Sequence, residues 1–257
     1  MLPNTAAKVD VRGVSFDNVT LAEAADRLRA SAADGIRETV FTPNSEIVQS
    51  CIDEPALFDV VNAATLIIPD GIGVVKAARI LGTPLKGKVA GVDLGRAVIA
   101  FAAEDGLPVY LLGGKPGVAQ AAAQKLREVH PALQIAGMGD GYFAKTGPET
   151  DAVVDAVNAS GAKILFVCLG APTQEKWIVE NRDRMPGVCM LLGLGGSLDV
   201  YAGTVKRAPQ IFIRLGLEWF YRLLKEPRRI GRMMRLPKFY FGTWRYKLTT
   251  KKQRTPK

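Results

Sequence analysis

Apolar positions along this chain fall into short unbroken runs set apart by longer stretches of helical spacing. The runs are residues 38–42, 64–69, 108–113, 162–170 and 188–193, each ending at a glycine, a proline or a polar residue. Continuous apolar runs of this length predict strands buried on both faces rather than strands with one wet side. Between them, residues 21–33, 117–129, 150–160 and 175–183 repeat apolar side chains at helical spacing. Strands alternating with helices predict an α/β fold built on a largely parallel sheet.

Ligands of such sheets bind beyond the carboxyl ends of the strands, where each strand passes into a loop. Here those ends read Thr42-Pro43-Asn44-Ser45-Glu46, Pro69-Asp70-Gly71-Ile72-Gly73, Gly113-Gly114-Lys115-Pro116-Gly117, Gly170-Ala171-Pro172-Thr173-Gln174-Glu175 and Gly195-Gly196-Ser197-Leu198-Asp199. Polar groups and glycines thus converge on one rim. The Gly113-Gly114 turn opening a helix suits a phosphate, because glycine lets a ligand approach backbone N–H groups. It matches neither GxGxxG nor a P-loop ending in Lys-Ser/Thr, so the usual fingerprints of NAD and ATP sites are absent.

Asp70 follows a buried strand and precedes a glycine, where a carboxylate fits three roles: general base, helix N-cap or turn former. Thr42 and Asn44 suit hydrogen bonds either to a polar ligand or within their own turn. His130, the one histidine, precedes Pro131 at an expected helix end and reads as structural. With no Ser/His/Asp set and no clustered His and Cys ligands, hydrolase triads and zinc chemistry fall away.

Composition narrows the setting. At 257 residues, 48% hydrophobic and 23% charged, the chain suits one large domain or one domain with an appendage. Three widely spaced cysteines form no disulfide framework or CxxC site, which fits a reducing, cytoplasmic compartment. The first thirty residues carry charges throughout and lack the apolar core of a signal peptide. No uncharged apolar run approaches the length of about eighteen residues that a membrane-spanning helix needs.

Charge divides the chain after Thr204, giving an expected body at 1–204 and an appendage at 205–257. The appendage carries 16 Lys and Arg against Glu218 and Glu226, while the body carries 18 basic and 23 acidic residues. Nine of the nineteen aromatics also lie in the appendage. Cations interleaved with aromatics point to an anionic partner, a membrane surface or a nucleic acid. Residues 211, 212, 215, 219, 220, 223 and 224 form an apolar helical stripe, with Arg214, Glu218 and Arg222 off it. Phe239, Tyr240, Phe241 and Trp244 sit among Lys238, Arg245 and Lys247, a mixture suited to a lipid headgroup boundary. Packing of the stripe on the body is the alternative reading.

The rim and tail together resemble a known family. Thr42-Pro43-Asn44, Pro69-Asp70-Gly71, Leu112-Gly113-Gly114, Gly141-Tyr142-Phe143, Gly170-Ala171-Pro172-Thr173-Gln174-Glu175-Lys176-Trp177, Gly195-Gly196-Ser197-Leu198-Asp199 and Lys206-Arg207-Ala208-Pro209 occur in order, followed by the block at 217–229. From about residue 9 to about 235 the chain resembles the WecG/TagA/CpsF glycosyltransferases. Its members move a sugar from a UDP-sugar to a polyprenyl-diphosphate-linked sugar at the cytoplasmic membrane face, building teichoic acid, enterobacterial common antigen or exopolysaccharide.

The resemblance implies an inverting, metal-independent enzyme on a Rossmann-like body with helices on both sheet faces. It implies no cofactor beyond the UDP-sugar co-substrate, and an appendage that meets the membrane from the cytoplasmic side and closes over the site. Carried across, Asp70 is the expected general base, with Thr42 and Asn44 as sugar contacts beside it. Gly113, Gly114, Tyr142, Gly170, Gln174, Gly195, Gly196 and Asp199 are expected around the nucleotide-sugar, and Arg222, Arg229 and Arg232 at the diphosphates. Thr173 departs from the family, whose members commonly have Lys or Arg there, so a cation near the donor is missing or comes from elsewhere. The donor sugar (N-acetylmannosamine, its uronate or glucose), the acceptor and any homo-oligomer are left open.

Without the resemblance, the rivals are a nucleotide-binding oxidoreductase and a nucleic-acid-binding protein. The first requires a GxGxxG with an acidic residue about twenty positions on. Against the second, the tail's aromatics lie on a helical face rather than on a strand platform for stacking bases.

Overall fold

Successive side chains of a strand point to opposite faces of its sheet, so a strand apolar at every position must be covered twice. The computed structural model, which describes residues 7–206, 208–209, 211–212, 218–225, 231 and 235–253, meets that demand with a sheet between two helical layers. Its strands are β1 (Lys8–Val11), β2 (Val14–Asp17), β3 (Glu38–Phe41), β4 (Leu66–Ile67), β5 (Val109–Gly113), β6 (Ile135–Gly139), β7 (Ile164–Cys168) and β8 (Met190–Gly193). Its helices are α1 (Leu21–Ala33), α2 (Ser45–Asp53), α3 (Ala56–Asn62), α4 (Ile72–Leu81), α5 (Gly91–Glu104), α6 (Val118–Val129), α7 (Pro148–Ser160) and α8 (Thr173–Asn181). The short α9 (Ser197–Tyr201) follows, then α10 (Glu218–Lys225) and α11 (Arg235–Gln253).

Six strands form one sheet in the order β4-β3-β8-β7-β5-β6, and every neighbouring pair is parallel. The fold is therefore the expected α/β architecture, Rossmann-like in its helix-covered parallel sheet. Alternation decides which layer each side chain enters. Val40, Leu66, Leu111, Phe166 and Leu192 face the core shared with α1, α5, α6 and α9. Phe41, Ile67, Leu112, Val167 and Leu191 face the core shared with α2, α3, α4, α7 and α8.

Three strands were not legible in the sequence. β1 and β2 form an antiparallel hairpin whose two-residue turn, Arg12-Gly13, has positive φ at both positions (58° and 93°). That is the backbone of a type I′ turn, normally signalled by Asn-Gly or Asp-Gly. Here Asn62 braces the turn instead, its Oδ1 accepting from Ser15 N at 3.0 Å and its Nδ2 donating to Gly13 O at 2.9 Å. The edge strand β6 is half-buried along its length and contains two glycines, so it lacks the apolar run that marks the others.

The amino ends of the strands carry a buried ionic cluster. Glu38, the first residue of β3 and 2% exposed, receives Arg27 Nε at 2.9 Å and Nη2 at 3.1 Å, with Ser31 Oγ at 2.9 Å. The Thr65 hydroxyl donates to the same carboxylate. Asp17, equally buried, accepts from Ile67 N at 2.8 Å and pairs with Arg27 at 3.5 Å. This end of the sheet is closed by charge pairing and holds no cleft residue named from the sequence.

The C-terminal helix α11 lies across α2 and α4. Phe239 is fully buried in the same core as Phe41 and Trp177, and Thr243 is buried beside it. Lys238 Nζ reaches Asp53 at 2.7 Å, and Arg235 Nη1 donates to Ser50 Oγ at 2.8 Å. Only part of the stripe expected over 211–224 is described: α10 covers its second half, and 213–217 lie outside the described residues. No helix among the described residues is long and apolar enough to cross a membrane.

Candidate active site

Because all six strands run in one direction, their carboxyl ends meet on one rim, and a chain of hydrogen bonds ties each end to the next. Asp70 N donates to Pro43 O at 3.4 Å, joining β4 to β3. Thr42 Oγ1 donates to Gly193 O at 3.2 Å, joining β3 to β8. Gly195 N donates to Gln174 Oε1 at 2.8 Å, joining β8 to the start of α8 after β7. Gly114 N donates to Cys168 O at 3.3 Å and Gly141 N to Gly114 O at 2.8 Å, joining β7, β5 and β6. Every loop bearing a residue named from the sequence is thus held by its neighbours.

Adjacent loops leave the rim toward different layers. After β3 the chain enters α2, whose Val48 and Cys51 pack in one core. After β8 it enters α9, whose Leu198 and Tyr201 pack in the other. Neighbouring parallel strands whose connections diverge in this way open a crevice between their carboxyl ends. Thr42 and Asn44 lie on the β3 side of that divergence, and Gly195, Gly196 and Asp199 on the β8 side.

Asp70, Thr42 and Asn44 are brought together. Asn44 is the N-cap of α2, its Oδ1 accepting from Glu46 N at 2.8 Å and Ile47 N at 3.1 Å, so the turn-forming use of this side chain is realised. Gly71, with φ of 94°, takes the N-cap position of α4, leaving Asp70 one residue outside the helix and half-buried. A Cβ placed on Gly71 would stand 3.8 Å from the Asn44 Cβ, so the two loops touch. Thr42 is buried against the first residue of α5, where a Cβ on Gly91 would meet its side chain at 3.1–3.3 Å.

Around β7 and β8 the site is tightly built. Gln174 is 2% exposed, and with Oε1 on Gly195 N its Nε2 donates to Glu175 Oε1 at 2.9 Å. Glu175 is 1% exposed, its Oε2 has no partner among the described residues, and burial holds its carboxyl above the usual range. Gly170 has a left-handed φ of 78° and precedes a cis Ala171–Pro172 peptide. Asp199 accepts from Thr204 Oγ1 through its backbone O at 3.0 Å and through Oδ1 at 3.4 Å.

The glycine pair after β5 stands farther off. Gly113 has φ of 130°, and any side chain there would collide with the Cys168 carbonyl. The turn does not open the helix directly, because α6 begins at Val118 behind Gly117. Tyr142 is exposed on the loop after β6. Five strand spacings separate that loop from Asp70, about 24 Å, so the structure does not bring these two together. A cleft of about 250 Å³ between the loop after β6 and α8 is lined by Lys145, Thr146, Thr173, Lys176 and Glu180. Lys145 Nζ donates to Gly141 O at 2.9 Å and stands 3.7 Å from the Phe143 ring centroid, and desolvation lowers its pKa.

The diphosphate arginines expected from the tail escape this geometry. Arg222 falls on α10, where its side chain is not described, and Arg229 and Arg232 lie outside the described residues.

One contact was not foreseen. A Cβ on Gly73, in the first turn of α4, would meet Ser45 Oγ at 2.6 Å and the Tyr240 hydroxyl at 3.6 Å. Helix α11 thus delivers a phenol to the edge of the rim, beside the residues that follow Asn44 and Gly71. The one sequence signal was the glycine itself, because a helix that begins against two other side chains has no room for a Cβ.

Comparison with known proteins gives a consistent picture. The sequence profile of the glycosyl transferase WecG/TagA/CpsF family matches residues 9–253. Two similar relatives, both from Staphylococcus aureus (strains MW2 and NCTC 8325 / PS 47), are named N-acetylglucosaminyldiphosphoundecaprenol N-acetyl-beta-D-mannosaminyltransferase. Each is 35% identical over 251 residues, covering 97% of this chain and 97% of its own.

Proposed function

Because the chain belongs to the WecG/TagA/CpsF glycosyltransferase family, we propose that it transfers N-acetylmannosamine from UDP-N-acetylmannosamine to polyprenyl-diphosphate-linked N-acetylglucosamine. The product enters a cell-surface polymer assembled from the cytoplasmic face of the membrane. The observation that carries this reading is likeness to the two named transferases over 97% of both chains.

The chemistry is a single displacement with inversion. The acceptor hydroxyl oxygen bonds to the anomeric carbon as the bond from that carbon to the UDP oxygen breaks. Asp70 takes the hydroxyl proton, a role that contributes about 10²–10⁴-fold when the base is well placed. Its position supports this: Asp70 follows a strand end, its backbone N bonded to Pro43 O, and lies one residue outside the helix that follows. Thr42 and Asn44 hold the mouth of the crevice, Gln174 fixes the Gly195-Gly196 loop against which the donor lies, and Asp199 and Gly170 flank it. Charge developing on the departing diphosphate calls for N–H donors and cations. Arg222, Arg229 and Arg232 supply them in this reading without a metal, and Lys145 and Lys176 add positive charge beside Thr173.

The test is UDP release from a panel of UDP-sugars, with and without polyprenyl-diphosphate-linked N-acetylglucosamine in liposomes. Acceptor-dependent release with UDP-N-acetylmannosamine alone is the expected result. Preference for a uronate or glucose donor corrects the sugar, and release without acceptor overturns the transfer.

A further inference from the structure

Helix α11 has two faces of opposite character. Phe239 and Thr243 point into the core, and Tyr240 lies beside them, half-buried with its ring 5.9 Å from that of Phe239. On the other side Phe241, Trp244 and Leu248, one and two turns apart, are 75%, 53% and 62% exposed. The inner face is clamped to α2 by the Lys238–Asp53 and Arg235–Ser50 contacts. Such a clamp fixes Tyr240 in place while the adjacent Phe241 faces outward.

The Tyr240 hydroxyl stands at the joint first turns of α2 and α4, by Ser45 and Gly73, and makes no hydrogen bond among the described residues. Ser45 directly follows Asn44, and Gly73 lies three residues after Asp70. A phenol kept protonated by burial is a donor with no proton to lose near neutral pH, which suits an anionic or hydroxyl-rich partner. Nothing in the core needs this oxygen, since Phe239 and Thr243 already seat the helix.

We propose that Tyr240 is an acceptor-binding residue, whose hydroxyl hydrogen bonds to the diphosphate–sugar headgroup of the lipid-linked acceptor as it passes from the lipid-facing side of α11 toward Asp70. This rests on the reading of the chain as a transferase acting on a lipid-linked sugar. It makes α11 a gatepost with an apolar outer face and a polar residue turned inward, so acceptors are recognised at the point where the tail meets the body.

The experiment compares the full-length wild type with Tyr240→Phe, which removes one oxygen and keeps the ring. Initial rates are measured against polyprenyl-diphosphate-linked N-acetylglucosamine and against UDP-N-acetylmannosamine, and binding of the acceptor lipid in micelles is measured without donor. The expected result is a KM for acceptor raised about tenfold, as for loss of a hydrogen bond to a charged group. The donor KM and the melting temperature stay at the wild-type values, and micellar acceptor binds more weakly. Unchanged acceptor KM and binding overturn the proposal, as does a rise in both KM values together with a lower melting temperature, which marks a structural role. If the wild type releases no UDP yet binds acceptor lipid more tightly than Tyr240→Phe, the inference stands and the donor assignment falls. If the wild type does not bind the acceptor lipid, both fall.

Discussion

Gln174 and Glu175, neighbours in the chain, hydrogen bond to each other through their side chains at 2.9 Å while both are almost wholly buried. The carboxyl of Glu175 therefore sets which way the Gln174 amide faces, and the amide in turn holds Gly195 N. Burial favours the protonated form. As pH rises past the ordinary glutamate pKa of 4.5, the unfolded chain gives up this proton first, and the folded state loses stability relative to it. Glu175→Gln removes that slope and keeps the shape. Urea unfolding at pH 5 and pH 8 is expected to show the variant gaining on the wild type as pH increases; parallel behaviour at the two pH values contradicts a neutral Glu175.

Asp70→Asn keeps the size and most of the hydrogen-bonding capacity of the side chain but cannot accept the acceptor proton. Acceptor-dependent turnover is expected to fall about 10²–10⁴-fold, with UDP affinity and circular dichroism unchanged. Turnover within a few-fold of wild type would remove Asp70 from the role of base.

Rim and tail differ in how much of them the sequence revealed. The places of Asp70, Thr42 and Asn44 followed from strand ends that a run of apolar residues makes visible, and parallel strands carry such ends to one side without further information. Gln174 was legible as a residue of that rim, but its burial was not, because whether an amide faces a ligand or a neighbouring loop depends on packing between β7 and β8. Aromatic-basic composition set Phe239 and Tyr240 at a lipid boundary with Phe241 and Trp244, but Phe239 is fully buried in the core and Tyr240 half-buried against it. The contact of Tyr240 with Gly73 joins residues far apart in the chain, which composition does not reveal. The β1–β2 hairpin was hidden because Arg12-Gly13 is an uncommon turn pair, stabilised from outside by Asn62.

Phe239 joins the tail to the body's own core. Phe239→Ala is expected to lower the stability of the full chain by about 3–5 kcal/mol, as for other buried aromatics cut to alanine, measured by chemical denaturation. A chain ended at residue 204 leaves the same socket on α2 and α4 uncovered, and is expected to melt earlier than the full-length protein. Equal melting temperatures would mean that the body folds independently of α11.

Phe241 and Trp244 are expected to enter an anionic bilayer. Each serine substitution should weaken co-sedimentation with phosphatidylglycerol vesicles about tenfold, the scale of one large apolar side chain withheld from lipid. Added salt should weaken wild-type binding as well, because Arg245 and Lys247 contribute through a screened attraction. Binding that survives both substitutions points to another surface.

Arg27→Ala leaves the buried Glu38 carboxylate without its cation and Asp17 with Lys8 alone, at 3.4 Å. A loss of about 3–5 kcal/mol is expected, with the kinetic constants of the surviving folded protein unaltered. A change in KM without loss of stability would contradict a purely anchoring role.

β3 has four residues, so the ionic cluster at Glu38 and the crevice at Thr42 are separated by only about 13 Å of strand. They nevertheless answer to different demands. The amino end is a keel: its charges are mutually satisfied and touch nothing that changes from one substrate to another. The carboxyl end is left to loops. A lineage built on this frame can therefore exchange one sugar or lipid for another by rewriting a few loop residues, while the amino end keeps the molecule folded through the trials.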